Sequence, residues 1–437
     1  MAGRYDIIVI GAGIMGVASA YHLLKNNPRK KVLVVERYGA PGQGNTGRSN
    51  ALFRNTFSSS DNQVLSNGAI DFYLHVQEEL KVDIGLQKIG YLWLMDEVQS
   101  RRSEPFLRRM EANGVEIRRH TRDELERLMP TLVTKFGSDE EAALMSLPPI
   151  DGGVFGTKCG RLDPDKLVRY YSEEFARAGG KFGFNTDAKA LVMGPFKRLG
   201  LEGEPFVWQD HRIDGVSVRD DAGEVLTAET VVLAGGAWVN QLLEPIGIES
   251  HVKAKKRQLF SLVAQEGRLG ELLHTRGFNT LGLLPVVILP KAGVHFKPVS
   301  EEGGFWVACE DEVNQPFIDL PERDLDAYRA DRTYYERSVY PILTSYFPDF
   351  RNSRVKAMWA GLYAYTADKL PFAFRDENLI VVGGDSGSGI MKGDSLGRIV
   401  DALYRDEKRA VLYGGIDYDV SKISFKARDV EREEWVI

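Results

Sequence analysis

The stretch Tyr5-Asp-Ile-Ile-Val-Ile-Gly-Ala-Gly-Ile-Met-Gly16 joins an apolar run to a set of spaced glycines. The run predicts a buried strand, the glycines predict a tight turn, and the residues after Gly16 predict a helix. Lys31–Glu36 then predicts a second strand that ends on a carboxylate. An acid at the end of that strand binds a ribose hydroxyl in dinucleotide-binding βαβ units. The pattern therefore predicts a dinucleotide site, although a glycine-rich turn that binds no ligand shares its first half.

Each glycine has a separate predicted task in such a turn. Gly11 makes the turn itself, Gly13 lets a diphosphate approach the backbone, and Gly16 lets the helix pack on the strand. The helix that starts at Ile14 directs free N–H groups and the positive end of its dipole at the diphosphate. The residues predicted to bind are Gly11, Ala12, Gly13, Ile14, Met15, Gly16 and Glu36.

The bulk composition is that of an ordinary soluble enzyme. The chain has 437 residues, of which 43% are hydrophobic and 27% charged, and this is enough to bury a large core. A net charge of −6 argues against non-specific binding of nucleic acid. The cysteines Cys159 and Cys309 are too few for a disulfide framework, which favours a cytoplasmic protein. The sequence shows neither a membrane-spanning apolar run nor a cluster with metal-ligand spacing, so we predict no membrane span and no metal.

Two later stretches repeat the strand-to-glycine pattern, Thr230–Trp238 and Leu379–Met391. Between them, Pro285–Glu310 alternates as short strands around a glycine turn, which is typical of an antiparallel sheet. We therefore predict a mixed α/β protein, in which a Rossmann-like domain is assembled from discontinuous segments around an inserted antiparallel-sheet substrate domain. The predicted dinucleotide domain comprises residues 1–80, 151–245 and 355–437, and the predicted substrate domain comprises residues 81–150 and 246–354.

Capping chemistry predicts two helix starts between the glycine stretches. Thr121 and Glu124 have the spacing of a capping box. Asp163 suits an N-cap and Pro164 suits the first helical position. A further, charged helix is predicted over Asp324–Phe347.

The order of these motifs resembles that of the FAD-dependent amino-acid and amine oxidoreductases. That family includes D-amino-acid oxidase, glycine oxidase, sarcosine oxidase and the dye-linked L-proline dehydrogenases. The motifs that carry the resemblance are Gly11-x-Gly-x-x-Gly16, Glu36, the Arg48-Ser49 loop, Gly160-x-x-Asp-Pro164, Ala234-Gly-Gly-Ala-Trp238 and a C-terminal glycine-rich loop that ends at Gly389. The first turn alone suits NAD as well as FAD. The later glycine loops favour the longer FAD.

The resemblance also implies further contacts with the cofactor. The residues implied are Arg37, Gly44, Gly47, Arg48, Ser49, Asn50, Ala188, Ala234, Gly235, Trp238, Gly361, Ser386, Gly387, Ser388, Gly389, Ile390, Met391 and Lys392. Covalent members of the family attach the flavin to a cysteine, and Gly361 holds the place of that cysteine here. Non-covalent FAD is therefore implied.

The same resemblance implies four catalytic positions. Arg54 stands where sarcosine-oxidase-like enzymes bind the substrate carboxylate, and Met391 stands where sarcosine oxidase has a lysine. His295 lies on a strand that often supplies an active-site side chain, and Tyr363 precedes the loop expected at the flavin. The C-terminal loop looks most like that of the L-proline dehydrogenases.

We therefore expect a FAD-dependent dehydrogenase that oxidises the C–N bond of a small amino acid, with L-proline and pyrroline-5-carboxylate as the first choice of substrate and product. The sequence identifies no cation that would promote reaction with dioxygen. This favours a dye, a quinone or an electron-transfer partner as acceptor. The alternatives are a sarcosine or glycine oxidase, an L-2-hydroxyacid dehydrogenase, and a non-catalytic FAD-fold assembly factor. A homodimer and a subunit of a larger complex both remain open.

Overall fold

A computed structural model describes residues 4–218, 224–264, 268–310, 315–318, 320 and 328–425. The predicted helix start at Asp324 and the residues after Phe425 lie outside these ranges. Within them, no helix is both long and apolar enough to cross a membrane.

The sheet built on the first apolar run has eight strands, and its centre is parallel. Arg4–Ile10 pairs in parallel with Val32–Val35 on one side and Val225–Leu233 on the other. Residues 7–10, 32–35 and 231–233 of these strands are apolar and buried, because both faces of such a sheet are covered. The other strands of this sheet are Lys181–Gly183, Ala190–Pro195, His211–Ser217, Phe372–Asp376 and Leu379–Gly383. The predicted Rossmann-like arrangement from discontinuous segments is confirmed.

Five helices of the described chain lie against this sheet; Val239–Leu243 belongs to one apolar cluster, and the other four pack together in another. The five are Ile14–Asn26, Ser60–Leu74, Pro164–Arg177, Val239–Leu243 and Gly393–Tyr404. At Gly397 an added Cβ would lie 2.7 Å from the backbone of Ala18, so only glycine allows the first and last of these helices to touch. Asp394 is fully buried at the same contact and is bonded to His22 and Arg398, at 2.7 Å in each case. This contact fixes the start of the C-terminal helix, and with it the glycine loop that precedes that helix.

A second sheet of nine strands is mostly antiparallel. Its strands are Tyr91–Met95, Ile117–Thr121, Gly152–Gly156, Lys253–Ala264, Val286–Ile288, Val294–Val299, Gly304–Cys309, Phe317–Ile318 and Ser353–Tyr365. The helices in this part of the chain are Glu97–Ala112, Arg122–Leu128, Glu140–Leu144, Arg268–Leu272, Arg332–Tyr334 and Tyr340–Tyr346. Short two-stranded ladders join Leu52–Phe53 to Gly160–Arg161 and Arg409–Leu412 to Ile416–Asp419.

The two predicted helix starts are confirmed. Thr121 and Glu124 form a reciprocal capping box. Asp163 accepts the N–H groups of Asp165 and Lys166, and Pro164 is the first helical residue.

Two segments that we placed in the dinucleotide domain are strands of the second sheet. Gly152–Gly156 pairs between Tyr91–Met95 and Ile117–Thr121, and Ser353–Tyr365 pairs along Lys253–Ala264. In the first case, backbone hydrogen bonds to strands on both sides place Gly152–Gly156 in the second sheet, although its local sequence is rich in glycine. The division into two domains stays a prediction, with its boundaries near 151 and 355 shifted by these strands.

The second sheet has one apolar and one polar face, as the alternation of side chains along a strand requires. Phe260, Phe296 and Val307 lie in an apolar cluster on one face. The alternate residues Arg257, His295, Lys297, Trp306 and Tyr363 share the other face, which we call the polar face.

The polar face is turned toward the loop 44–50 of the dinucleotide domain. The Lys297 Nζ donates to the Asn50 carbonyl oxygen at 2.6 Å, and the Trp359 Nε1 donates to the Arg48 carbonyl oxygen at 3.0 Å. The Leu362 N–H also donates to the side chain of Asn45 at 2.8 Å. A site at the ends of the parallel strands is therefore covered by polar groups rather than by an apolar core.

Candidate cofactor and substrate site

A cleft of about 390 Å³ lies at the carboxyl ends of the central parallel strands. Ile10, Val35 and Ala234, which end or follow three neighbouring strands, line it together. Ligands of open α/β sheets bind at this edge. The cleft also reaches the polar face, because Leu362 and Tyr363 line it.

The first glycine turn is too crowded for any larger residue. Gly11 has a φ of +98°, and a Cβ there would lie 2.6 Å from the Ala234 carbonyl oxygen. A Cβ on Gly16 would lie 1.9 Å from the Gly11 carbonyl oxygen. The tasks predicted for these glycines in turning the chain and packing the helix therefore agree with the geometry.

Glu36 is held at the edge of the cleft by backbone donors. Its carboxylate accepts the Ala12 N–H at 2.7 Å and the Tyr38 N–H at 3.0 Å. The Ile14 N–H at the helix start donates to the Thr46 Oγ1 at 3.1 Å. Thr46 also lines the cleft, and our reading of the sequence missed it. The Thr46 hydroxyl oxygen accepts from the helix N-terminus at a position where a diphosphate oxygen could also accept.

Many of the predicted cofactor residues line the cleft. They are Gly11, Gly13, Ile14, Met15, Glu36, Arg37, Gly44, Ser49, Ala188, Ala234, Gly235, Trp238, Gly387, Gly389 and Ile390, and the predicted catalytic Tyr363 joins them. The other predicted cofactor residues are not among the lining: Ala12, Gly16, Gly47, Arg48, Asn50, Gly361, Ser386, Ser388, Met391 and Lys392. Lining residues that we did not predict include Tyr38, Asn45, Thr46, Asp187, Gln241 and Asp385.

Arg48 is occupied by its own loop. Its guanidinium donates to the carbonyl oxygens of Gln43 and Gly44 and lies 4.0 Å from the ring centre of Tyr328. These hydrogen bonds tie Arg48 to the first residues of its own loop. We therefore assign Arg48 to shaping the loop rather than to a direct cofactor contact.

Met391 and Lys392 lie beneath the C-terminal loop. Met391 is only 4% exposed and packs in the apolar core, and it is not among the residues that line the cleft. The buried Lys392 donates to the side chain of Asn62 and, at 2.5 Å, to the Ser388 Oγ. Burial raises the pKa of the nearby Asp385, and the charge of Lys392 opposes that rise. Lys392 thus ties the loop to the helix Ser60–Leu74.

Arg54 is buried close to the polar face. It is 5% exposed, donates to the Thr56 carbonyl oxygen and stacks on Phe57 at 3.9 Å. Burial raises the pKa of Tyr91, and Arg54 and Glu310 are close enough to affect that pKa. The Tyr91 hydroxyl is buried and makes no hydrogen bond to the described residues. These contacts place Arg54 next to side chains of the second sheet.

A second buried arginine was not predicted. Arg257 is 6% exposed, donates to the Tyr365 hydroxyl at 2.8 Å and pairs with Glu310 at 3.4 Å. Its guanidinium also lies 5.9 Å from the ring centre of Tyr363, which lines the cleft. The polar face therefore carries its own cation beside the cleft.

His295 lies on the same face and has a defined tautomer. Its Nδ1 is 3.0 Å from the Gly293 carbonyl oxygen, so we assign the proton to Nδ1 and an acceptor lone pair to Nε2. Burial lowers the pKa of His295, while Glu310 opposes that effect. The imidazole is therefore neutral at physiological pH.

The described residues provide neither a reactive thiol at Cys159 nor a metal site. Cys159 is buried, and burial raises the pKa of its thiol to about 11, which keeps it unreactive. Among the described residues no group of His, Cys, Asp and Glu could hold a metal ion.

Comparison with known proteins agrees with this geometry. A family model described as FAD dependent oxidoreductase matches residues 6–403. The FAD-dependent oxidoreductase domain-containing protein 1 of Xenopus laevis is 24% identical over 92% of this chain and 79% of its own length. The sarcosine oxidase subunit beta of an Arthrobacter species is 23% identical over 89% of this chain and 84% of its own. The crystal structure of L-proline dehydrogenase from P. horikoshii superposes with a TM-score of 0.72 at 20% identity, over 93% of this chain and 94% of the other.

The cleft also fits the cofactor of that family. The glycine turn leaves room only for backbone at the predicted diphosphate end. The Glu36 carboxylate lies at the predicted ribose position. The side-chain amide of Asn50, which follows the cleft-lining Ser49, is buried and makes no hydrogen bond to the described part of the chain. The chain is an FAD-binding member of the FAD-dependent oxidoreductase family.

Proposed function

We propose that the protein is a dehydrogenase of a small amino acid, with L-proline as the first substrate to test and pyrroline-5-carboxylate as the product. The observation that supports the proposal is the presence of two buried arginines, Arg54 and Arg257, of which Arg257 lies 5.9 Å from the ring centre of the cleft-lining Tyr363. Buried guanidinium groups favour an anionic ligand, and their paired donors match a carboxylate. A small α-amino acid supplies that carboxylate next to an oxidisable C–N bond.

Each part of the cleft has a proposed role in binding FAD. Gly11, Gly13 and Glu36 would hold the adenosine diphosphate end of FAD. Gly387 and Gly389 would approach the flavin end. Because Gly361 replaces the cysteine of the covalent members, we propose that FAD is held without a covalent bond. FAD, when bound, would supply the hydride acceptor for oxidation of the substrate carbon next to nitrogen.

The protein groups orient the substrate for that transfer. Arg54 and Arg257 bind the carboxylate and fix its pose, and their positive charge lowers the pKa of the substrate amine. The neutral amine donates its lone pair as the hydride leaves, which yields the imine and releases a proton. Tyr363, which lines the cleft, would bound the space for the substrate.

We propose a dye, a quinone or an electron-transfer partner as electron acceptor. Lys297, a buried amine bonded to the loop 44–50, favours an oxidase as the second candidate. A cation near a flavin promotes its reaction with dioxygen. A dye-coupled assay with L-proline, sarcosine and glycine, run beside an assay for hydrogen peroxide in air, separates the two. Peroxide formed in a one-to-one ratio with the product would identify an oxidase.

His295 favours a third candidate, the oxidation of an L-2-hydroxyacid. Hydride leaves an alcohol only as its proton is removed, and the free Nε2 of a neutral imidazole can accept that proton. A neutral amine needs no such base.

Replacing His295 with asparagine is expected to separate these readings. For an amino-acid substrate kcat falls less than about 10-fold, whereas loss of a general base from alcohol oxidation costs about 10²–10⁴-fold. Because burial lowers the pKa of His295, any acid limb in the kcat/KM profile that it causes lies below the ordinary histidine range.

The matched control is His120→Asn. His120 is a partly buried histidine of the second sheet that also has a lowered pKa, and it contacts Phe278. A loss of activity shared by both variants would assign His295 to folding alone.

A further inference from the structure

Lys297 joins the second sheet to the loop that borders the cleft. It is 2% exposed, and its Nζ donates to the Asn50 carbonyl oxygen at 2.6 Å. The ammonium also lies 4.2 Å from the ring centre of Trp306. One short bond and one aromatic ring thus hold the amine in a single position.

Burying an amine here is costly. Burial lowers the pKa of Lys297 to about 7. Arg161 lowers it further, whereas Glu301, Glu302 and Asp163 oppose the shift. An apolar side chain of the same length would pack at this position without that cost. The lysine is therefore placed for its bond to Asn50 and not for packing.

The loop at this bond has an unusual backbone. Ala51, the next residue, has a φ of +50° although it is not glycine, and it is 2% exposed. Such strain persists where surrounding contacts hold it, often at active sites. The Lys297 bond on one side and the Leu162 N–H, which donates to the Ala51 carbonyl oxygen at 3.0 Å, hold it here.

The side chain of Asn50 is the group that this arrangement presents. Both its amide oxygen and its amide nitrogen are buried without a hydrogen bond to any described residue. Asn50 itself is not among the residues that line the cleft, but its neighbours Asn45, Thr46 and Ser49 are. Buried amides left without partners are rare and call for a ligand or a water. The amide has a donor and an acceptor, which matches the alternating N–H and C=O groups on the edge of a flavin ring.

We propose that Lys297 is a positioning residue that sets the Asn50 amide against the edge of the bound flavin ring. The proposal rests on FAD binding and not on the identity of the substrate. The lysine acts through the backbone of Asn50, and the amide makes the contact with the flavin. Its loss changes the environment of the ring while the adenosine end of the cofactor stays held.

The test uses Lys297→Met, which removes the bond and keeps the length of the side chain. The visible absorption spectrum and the reduction potential of the bound flavin are expected to shift, and kcat to fall about 10-fold or more with KM nearly unchanged. Ser261→Ala is the control, because Ser261 is a buried residue of the same sheet whose hydroxyl bonds Glu302 instead of the loop. A spectrum, a potential and a kcat that match the wild type in Lys297→Met would overturn the proposal.

A second variant keeps the test valid if Lys297→Met fails to fold. Asn50→Ala deletes the amide but keeps the carbonyl that Lys297 binds. It is expected to give the same spectral shift, and the double variant is expected to add nothing, because both act through one amide. An unshifted spectrum in Asn50→Ala, or fully additive shifts in the double variant, would contradict the proposed route.

Discussion

Purified Gly16→Ala protein is expected to be colourless, with FAD affinity lowered at least about 100-fold, which corresponds to about 2.7 kcal/mol. The added Cβ would lie 1.9 Å from the Gly11 carbonyl oxygen, which is backbone and cannot rotate away. The helix must therefore shift off the strand, and the N–H groups at Ile14 leave the place where the diphosphate binds. Titration of the apoprotein with FAD, followed by quenching of flavin fluorescence, measures the loss.

Gly44→Ala is the matched control for this variant. Gly44 also lines the cleft, but a Cβ there meets nothing within 4 Å. Its FAD affinity is expected to stay within about threefold of the wild type. If Gly16→Ala bound FAD as tightly as Gly44→Ala does, the first turn could not be the diphosphate site.

Arg54→Ala is expected to raise KM for the amino-acid substrate about 100-fold or more while FAD stays bound. Truncating one partner of a buried, hydrogen-bonded charge pair typically costs about 2–5 kcal/mol. The effect depends on the substrate carboxylate. The amide derivative of the substrate, which lacks that charge, is therefore expected to react equally poorly with wild type and variant. Steady-state kinetics with both compounds measure the difference.

Arg161→Ala controls for the loss of any buried arginine. Arg161 is 7% exposed and its guanidinium pairs with Glu301, away from the cleft lining. That variant is expected to lose thermal stability without a change in KM. An unchanged KM in Arg54→Ala, or an equal rise in Arg161→Ala, would remove Arg54 from the substrate site.

The dinucleotide end of the site is predictable from sequence because its parts are local. The turn from Gly11 to Gly16 lies within one short strand–turn–helix stretch. The spacing of its glycines alone indicates the positions at which a side chain would clash. Glu36 follows at the end of the next strand. Thr46 had no such signal, because its role appears only when the loop folds back over the start of the helix at Ile14.

The substrate end is harder to predict because its residues come from strands far apart in the sequence. Arg257 and Tyr91 share a polar face only through the order and register of the second sheet. One local signal was available: polar and apolar residues alternate in Val294-His-Phe-Lys297, and that alternation marks His295 and Lys297 as sharing one face. Met391 was expected in the site by analogy of position, and its place in the apolar core just before the helix Gly393–Tyr404 could not be read from that analogy.

Anaerobic addition of L-proline to the purified yellow protein tests the proposed activity. The visible flavin band is expected to bleach within the time of mixing and to return when a dye or quinone is added. Sarcosine, glycine and an L-2-hydroxyacid are compared in the same cuvette format. A protein that holds FAD but is bleached by none of these compounds would contradict the proposed catalysis and favour a non-catalytic FAD-binding role.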